Sequence, residues 1–296
     1  MPPSPVPKGE TFKVPQAFAQ ALALHTQGHL NEAERIYSEV LAHRPDHFDA
    51  LQMLSVIKLA KGQPGDALRL ISQAMRMRKP SPQILVNYGM ILHALERSEE
   101  ALASFDEALK QKSKFAEAHN NRGAVLSAMG RNAEALDCFQ KALSLKADYA
   151  DAHYNLGSSL RVLGRYEEAL TSLDRALTLQ PNYVKALNNR GAAMEALNRL
   201  PEALKDYERA LSLNPGFTEA RNNRGRVLLG LDRADDAIDN FSAALKINPR
   251  DAESWYQRGR LLLEISRYEE AEADLKQALS IEPAHAEARL ASCFAE

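Results

Sequence analysis

Asn87, Asn121, Asn155, Asn189 and Asn223, followed by Gln257, stand 34 residues apart, and Asn120, Asn188 and Asn222 sit next to three of them. A carboxamide donates and accepts at once, so each of these side chains can match the C=O and N–H of a peptide unit. Asparagine is also a mediocre helix former, because its side chain competes for backbone hydrogen bonds. Its return at a fixed interval therefore asks for a reason. One reading is a ladder of amides facing an extended peptide and recognising main chain regardless of side-chain sequence. The other is that the asparagines cross-link neighbouring helices, or were inherited by duplication without a role.

Other chemistry is sparse. His25 with His29, and His43 with His47, have the i, i+4 spacing that can place two imidazoles on one helix face. Each pair straddles a helix end and lacks a nearby third ligand, so no metal and no cofactor is expected. HExxH, GxSxG, paired CxxC and a glycine-rich phosphate loop are all missing, and the chain reads as non-catalytic. His119 and His153 read as partly buried ring fillers. Two cysteines, Cys138 and Cys293, suit small packing residues in a reducing compartment.

Lys and Arg number 37 against 39 Asp and Glu, so no global field points to nucleic acid or an anionic membrane. The cluster Arg76-Met77-Arg78-Lys79 complements a helix C-terminus and has no interleaved aromatics. No run approaches the roughly 18 apolar residues of a membrane span. Residues 1–13, with four prolines in the first seven, read as a disordered lead-in without the apolar core of a signal peptide, and the expected location is cytoplasmic.

The elements that carry these residues follow from a second series. Ala33, Ala67, Ala101, Ala135, Ala169, Ala203, Ala237 and Ala271 keep the same 34-residue interval, the mark of one supersecondary unit stacked on copies of itself. Eight units result: 14–47, 48–81, 82–115, 116–149, 150–183, 184–217, 218–251 and 252–285, with a capping or continuing helix at 286–296. Counting each unit's first residue as phase 1, phase 8 is Gly from the third unit on, phase 20 is always Ala, and phase 27 is Ala in all but one. Small residues at helical spacing mark close approach of two helices. Phase 24, large and mostly aromatic, is expected to supply the knob for the neighbouring unit, and Lys58 alone breaks the apolar run at phase 11. Gly at phase 15, as in Met129-Gly130-Arg131-Asn132, ends a first helix in the left-handed region. Acidic pairs such as Glu167-Glu168 open the second helix, and proline at phase 32 stops it. Each unit is helix, tight turn, helix, stop.

With Gly at 8, Ala at 20, Phe or Tyr at 24, Ala at 27 and Pro at 32, residues 14–285 resemble tetratricopeptide repeats (TPRs). The resemblance implies an all-α, right-handed superhelical α-solenoid of eight helix-turn-helix units, its concave wall made by the first helix of each pair. Phases 2, 5, 6, 9, 12 and 13 then face that wall. Glu117, Asp151, Glu195, Glu219, Glu253 and Glu264 balance Arg161, Lys185, Arg226 and Arg260 there, so steering of partners should be weak.

One departure from the family is systematic: phase 7, normally Leu, is Arg122, Arg190, Arg224 and Arg258. Either their stems pack while the guanidinium groups reach carboxylate or water, or they form a basic binding row.

The asparagine series, in motifs such as Ala152-His153-Tyr154-Asn155-Leu156-Gly157, is similar to the TPR region of O-linked N-acetylglucosamine transferases. That resemblance implies a ladder holding acceptor polypeptides ahead of a glycosyltransferase region. Repeats stacked roughly 8–10 Å apart would give about one rung per three residues of a chain rising about 3.3 Å each. The apolar residues Leu290, Ala291, Cys293 and Phe294 lead to the expectation that a longer protein continues beyond Glu296. The carboxylate-clamping TPRs place Lys at phase 5 and Asn at phase 9, and neither occurs here. The expected function is a scaffold that binds extended or disordered protein segments. A self-assembling scaffold joined through its terminal repeats is the alternative.

Overall fold

In a computed structural model, residues 13–292 are described; Cys293 and Phe294, and nearly all of the proline-rich lead-in, lie outside them. The described residues form seventeen α-helices and no strand. The chain divides after Ala147 into two compact units. The first holds the pairs α1 (Val14–Thr26) with α2 (Leu30–His43), α3 (Phe48–Ala60) with α4 (Pro64–Met77), α5 (Pro82–Ala94) with α6 (Ser98–Gln111), and α7 (Ala116–Ala128) with α8 (Asn132–Leu145). The second holds α9 (Ala150–Val162) with α10 (Tyr166–Leu179), α11 (Val184–Ala196) with α12 (Leu200–Leu213), α13 (Thr218–Gly230) with α14 (Ala234–Ile247), and α15 (Ala252–Glu264) with α16 (Tyr268–Ile281), followed by the short α17 (Ala286–Ser292). Within each unit, every helix packs most closely on its neighbours in the chain, the arrangement of an α-solenoid of helix-turn-helix repeats.

Each pair closes on a fixed contact. All eight phase 20 alanines are fully buried. A Cβ added at Gly89, Gly123, Gly191 or Gly225 would lie 2.7 Å from the ring of Phe105, Phe139, Tyr207 or Phe241. The large phase 24 side chain therefore seats on the glycine of its own repeat, a contact beyond the expected one with the neighbouring unit. The reason is geometric: the tight turn folds the second helix back so that its middle crosses the middle of the first.

The turn is equally regular. Gly130 N–H reaches Ser127 O and Arg131 N–H reaches Leu126 O, both at 2.9 Å, the paired bonds of a Schellman C-cap. Phase 15 has positive φ in all eight repeats, but only Gly28, Gly62, Gly130 and Gly164 are glycines. Glu96, Asn198, Asp232 and Ser266 adopt the same left-handed conformation at φ 61°, 58°, 59° and 62°. The tertiary turn overrides local preference there.

After the turn, arginine at phase 16 pairs with the carboxylate three residues on. Arg131 and Arg165, for example, each donate two hydrogen bonds of 2.7 Å, to Glu134 and Glu168. These forks are exposed, and Glu100, Glu134, Glu168, Glu202 and Glu270 are all held below the usual carboxylate range, first by their arginines. Lys58, the exception at phase 11, is an ion-pair residue: its Nζ lies 2.6 Å from Glu34 of α2, whose pKa it lowers.

Candidate polypeptide-binding face

The arginines of phase 7 are structural clamps. Arg190 donates from Nε and Nη2 to Asp206 and from Nη1 to Asp174, each at 2.7 Å. Arg258 does the same with Asp274, at 2.6 and 2.8 Å, and with Ser242 Oγ at 2.8 Å. Arg122 donates to Asp106 at 2.8 Å and to Cys138 Sγ at 3.1 Å. Arg224 donates to Asn240 at 3.0 Å and lies 3.5 Å from Glu208. One partner is always sixteen residues ahead, in the repeat's own second helix, and the other sixteen behind, in the preceding repeat's second helix. Each arginine therefore ties three helices together with its stem packed, which leaves no basic row. Hydrogen bonding to Asp206 raises the pKa of Arg190, whereas burial pushes the Cys138 thiol up and away from reactivity.

A smaller regularity carries no clear signal in the sequence. Phase 4 side chains bond the phase 32 carbonyl six residues back: His119 with Ser113, Arg221 with Pro215 and Trp255 with Pro249. The histidine pairs likewise serve local structure. His43 Nδ1 contacts Glu39 O at 2.9 Å, and His47 accepts from Ala50 N–H at 3.2 Å while stacking on Phe18. Among the described residues no group of three or more His, Cys, Asp or Glu is placed to hold a metal ion.

The carboxamides divide into two kinds. Asn120, Asn188 and Asn189 are buried, at 4%, 1% and 6% exposure. Asn188 Nδ2 donates to Glu219 at 2.9 Å and its Oδ1 accepts from Asn223 at 3.0 Å; Asn189 bonds Tyr154. Asn222 Nδ2 donates to Glu253 at 3.4 Å. Asn188 and Asn222 at phase 5 and Asn223 at phase 6 bridge successive first helices, the cross-linking role the sequence also allowed. Asn87, Asn121, Asn155, Asn223 and Gln257 at phase 6 are only half-buried. Asn87 accepts from Gln83 at 3.3 Å, Asn121 from Asn120 at 3.3 Å and Asn223 from Arg226 at 3.0 Å, while Gln257 donates to Glu253 at 2.6 Å.

Six buried side-chain atoms lack a hydrogen-bond partner among the described residues. Four of them, His93 Nδ1, Arg161 Nε, Asn222 Oδ1 and Arg260 Nε, belong to phases 5, 9 and 12 of the first helices, on the face singled out by the sequence. The two units furnish that face differently. At phase 9 the first unit has Leu22, Val56, Met90 and Ala124, and the second has Ser158, Ala192, Arg226 and Arg260. Leu22 and Met90 are exposed, giving the first unit an apolar stripe. In the second unit Arg226 grips Glu195 with both Nε and Nη2, and Glu195 also accepts from the Tyr207 hydroxyl at 3.1 Å. Burial and the adjacent Glu195 carboxylate push the Tyr207 pKa well above the usual phenol range.

Stacked helix pairs of this regularity define a helical-repeat protein. Models of the tetratricopeptide repeat family match residues 24–76, 81–146 and, in overlapping segments, 120–288. The chain belongs to that family. Among solved structures it is similar to the APC/C hetero-tetramer Cut9–Hcn1, at 19% identity and a TM-score of 0.70, over 94% of this chain and 55% of that one. This chain thus spans about half the length of that relative. A tetratricopeptide repeat protein from Parabacteroides merdae matches at 20% identity and a TM-score of 0.62, over 84% of this chain and 98% of its own. YrrB, described as a TPR protein with an unusual peptide-binding site, matches at 28% identity and a TM-score of 0.51, over 64% of this chain and 97% of its own. No curated protein matches the sequence. No helix among the described residues is long and apolar enough to cross a membrane.

Proposed function

We propose that this protein is an interaction scaffold whose units bind extended polypeptide along phases 2, 5, 6, 9, 12 and 13 of their first helices. The observation that carries the proposal is the row of half-buried carboxamides, Asn87, Asn121, Asn155, Asn223 and Gln257, at one phase of the first helices. A polypeptide main chain brings a donor and an acceptor with every residue. The bridging amides of phase 5 hold the receiving side chains in place before binding, which limits the entropy lost on capture. The relationship to YrrB lends support from a relative with a peptide site.

The half-buried amides at phase 6 are the contact residues in this reading. Twelve-residue peptides selected from a random library on the full chain provide the probe. Combined Asn155→Ala, Asn223→Ala and Gln257→Ala replacement should weaken their binding at least tenfold while the helical circular dichroism signal stays intact. Unchanged affinity overturns the reading.

The same series supports an extension, in which the repeats recruit acceptor polypeptide for an O-GlcNAc-transferase-like region of a longer protein. The coding sequence downstream of codon 296 tests it: a glycosyltransferase region supports the extension and a stop codon removes it. Self-association is favoured by a different observation. Tyr256, Leu263, Leu290 and Ala291 line an apolar depression of about 490 Å³, and Leu290 is 65% exposed. Light scattering that finds a concentration-independent monomer excludes this alternative.

A further inference from the structure

Three arginines stand at phases 9 and 12 of the second unit's first helices: Arg161 on α9, Arg226 on α13 and Arg260 on α15. Two of them are neutralised, Arg226 by Glu195 and Arg260 by Glu264. Arg161 makes no ion pair with the described residues, although its side chain is half-buried. Of its three guanidinium nitrogens only Nε is a buried atom without a partner. The two amino groups also bond none of the described residues, so they are the part that reaches solvent. Tyr154 lies two turns earlier on the same face of α9. The charge of Arg161 acts on the Tyr154 phenol and on that of Tyr207, in each case against the larger upward push of burial. Glu195, at the same phase of the next repeat, cannot compensate this charge. It already accepts from Nε and Nη2 of Arg226 and from the Tyr207 hydroxyl. Glu219, which also acts on Tyr154, is held by Asn188 at phase 2, about 15 Å away along the helix direction. Arg161, Arg226 and Glu195 together leave one positive charge in excess at the level of phases 9 to 12.

We infer that Arg161 is an anchor for an acidic side chain, Asp or Glu, of polypeptide bound along the second unit. The inference rests on the polypeptide-binding reading above. A carboxylate accepts from both amino groups of a guanidinium at once, end-on, and needs nothing from the buried Nε. Its single negative charge matches the single positive charge in excess. An Asn or Gln side chain brings one acceptor and no charge, and a lysine ammonium is repelled. A phosphate dianion exceeds the available charge and meets Glu195. Burial of Nε holds the guanidinium in place before binding, which limits the entropy lost on capture. Ser158, one turn earlier on the same face, is small and leaves room for the incoming side chain.

Random twelve-residue peptides selected on the full chain should carry Asp or Glu at one fixed position. Changing that residue to Asn or Gln should weaken binding about tenfold. Arg161→Gln should erase the acidic preference while peptide binding and the helical circular dichroism signal persist. Selected peptides with no acidic preference, or a preference undiminished in Arg161→Gln, overturn the anchor and leave the polypeptide-binding reading standing. Tighter binding of phosphoserine than of Glu at that position marks a phosphate site and overturns the carboxylate assignment. Should the library yield no peptide at all, N-acetylglutamate methylamide is the probe. A shift of the Arg161 guanidinium signals in ¹⁵N-resolved NMR that N-acetylglutamine methylamide does not produce then supports the anchor and sinks the extended-peptide reading. Equal responses to the two probes, or none to either, overturn the anchor as well.

Discussion

Arg190 holds Asp206 through two hydrogen bonds of 2.7 Å while its remaining amino group reaches Asp174, so one side chain joins α10, α11 and α12. Asp206 is only 5% exposed. Replacing Arg190 with Leu strands that carboxylate, at a cost of about 2–3 kcal/mol once the partial exposure of Arg190 is allowed for. The second repeat shows the apolar solution, Leu54 and Leu70 at the same two phases, both buried. Arg190→Leu with Asp206→Leu should therefore recover most of the loss, read as the urea midpoint. A double variant as unstable as the single one contradicts this account.

Gly191→Ala should destabilise despite alanine's helix preference. The added Cβ would meet Tyr207 Cε1 at 2.7 Å, and Tyr207 has no free surface into which to move. Overpacking of about 1–3 kcal/mol exceeds the ~1 kcal/mol of propensity gained. Gly65, helical with nothing within 4 Å of an added Cβ, is the control. Gly65→Ala should raise the melting temperature slightly, and Gly191→Ala should lower it.

Glu96→Gly and Ser266→Gly should both stabilise. These residues sit at φ 61° and 62°, where a Cβ costs about 1–2 kcal/mol and glycine costs little. Subtracting glycine's extra unfolded-state entropy leaves a gain of about 0.5–1 kcal/mol each. Thermal unfolding of the two variants measures it, and a loss in both would mean that the turn relaxes in some other way.

Tyr37 makes the first helix pair sensitive to alkali. Burial pushes its phenol up to about 12 from 10.0, and its buried hydroxyl has no hydrogen-bond partner among the described residues. Because the folded state favours the protonated form, this contribution is fully present below pH 10 and is lost as pH rises toward 12. Tyr37→Phe should remove that part of the alkaline loss. It should also stabilise at neutral pH by about 1 kcal/mol, since phenylalanine fills this phase in Phe105, Phe139 and Phe241. Circular dichroism titration of both proteins from pH 9 to 12 compares them.

Much of this was legible in the chain itself. The 34-residue recurrence of alanine locates pairs of helices, because a small residue that returns at the same phase of every unit marks where two helix axes come too close for a larger side chain. The left-handed turn could be read from Gly130 and Gly164, yet not from Glu96 or Ser266, whose side chains argue against it. There the packing of two long helices outweighs one strained residue.

The partners of Arg190 and the two kinds of asparagine depended on the tertiary structure. Residue type says that a guanidinium needs an acceptor, but Asp206 and Asp174 lie sixteen residues away in opposite directions, and only the stacking of second helices on both sides brings them within 2.7 Å. Likewise Asn188 and Asn223 offer the same amide. One is sealed between helices and the other half-exposed, and phase alone does not settle which, since Asn189 at phase 6 is buried while Asn222 at phase 5 is half-buried. Sequence alone determined the period, the pairing of helices and the face that carries the polar groups. Tertiary packing decided which of those groups are buried in the fold, like Asn188, and which stay half-exposed, like Asn223.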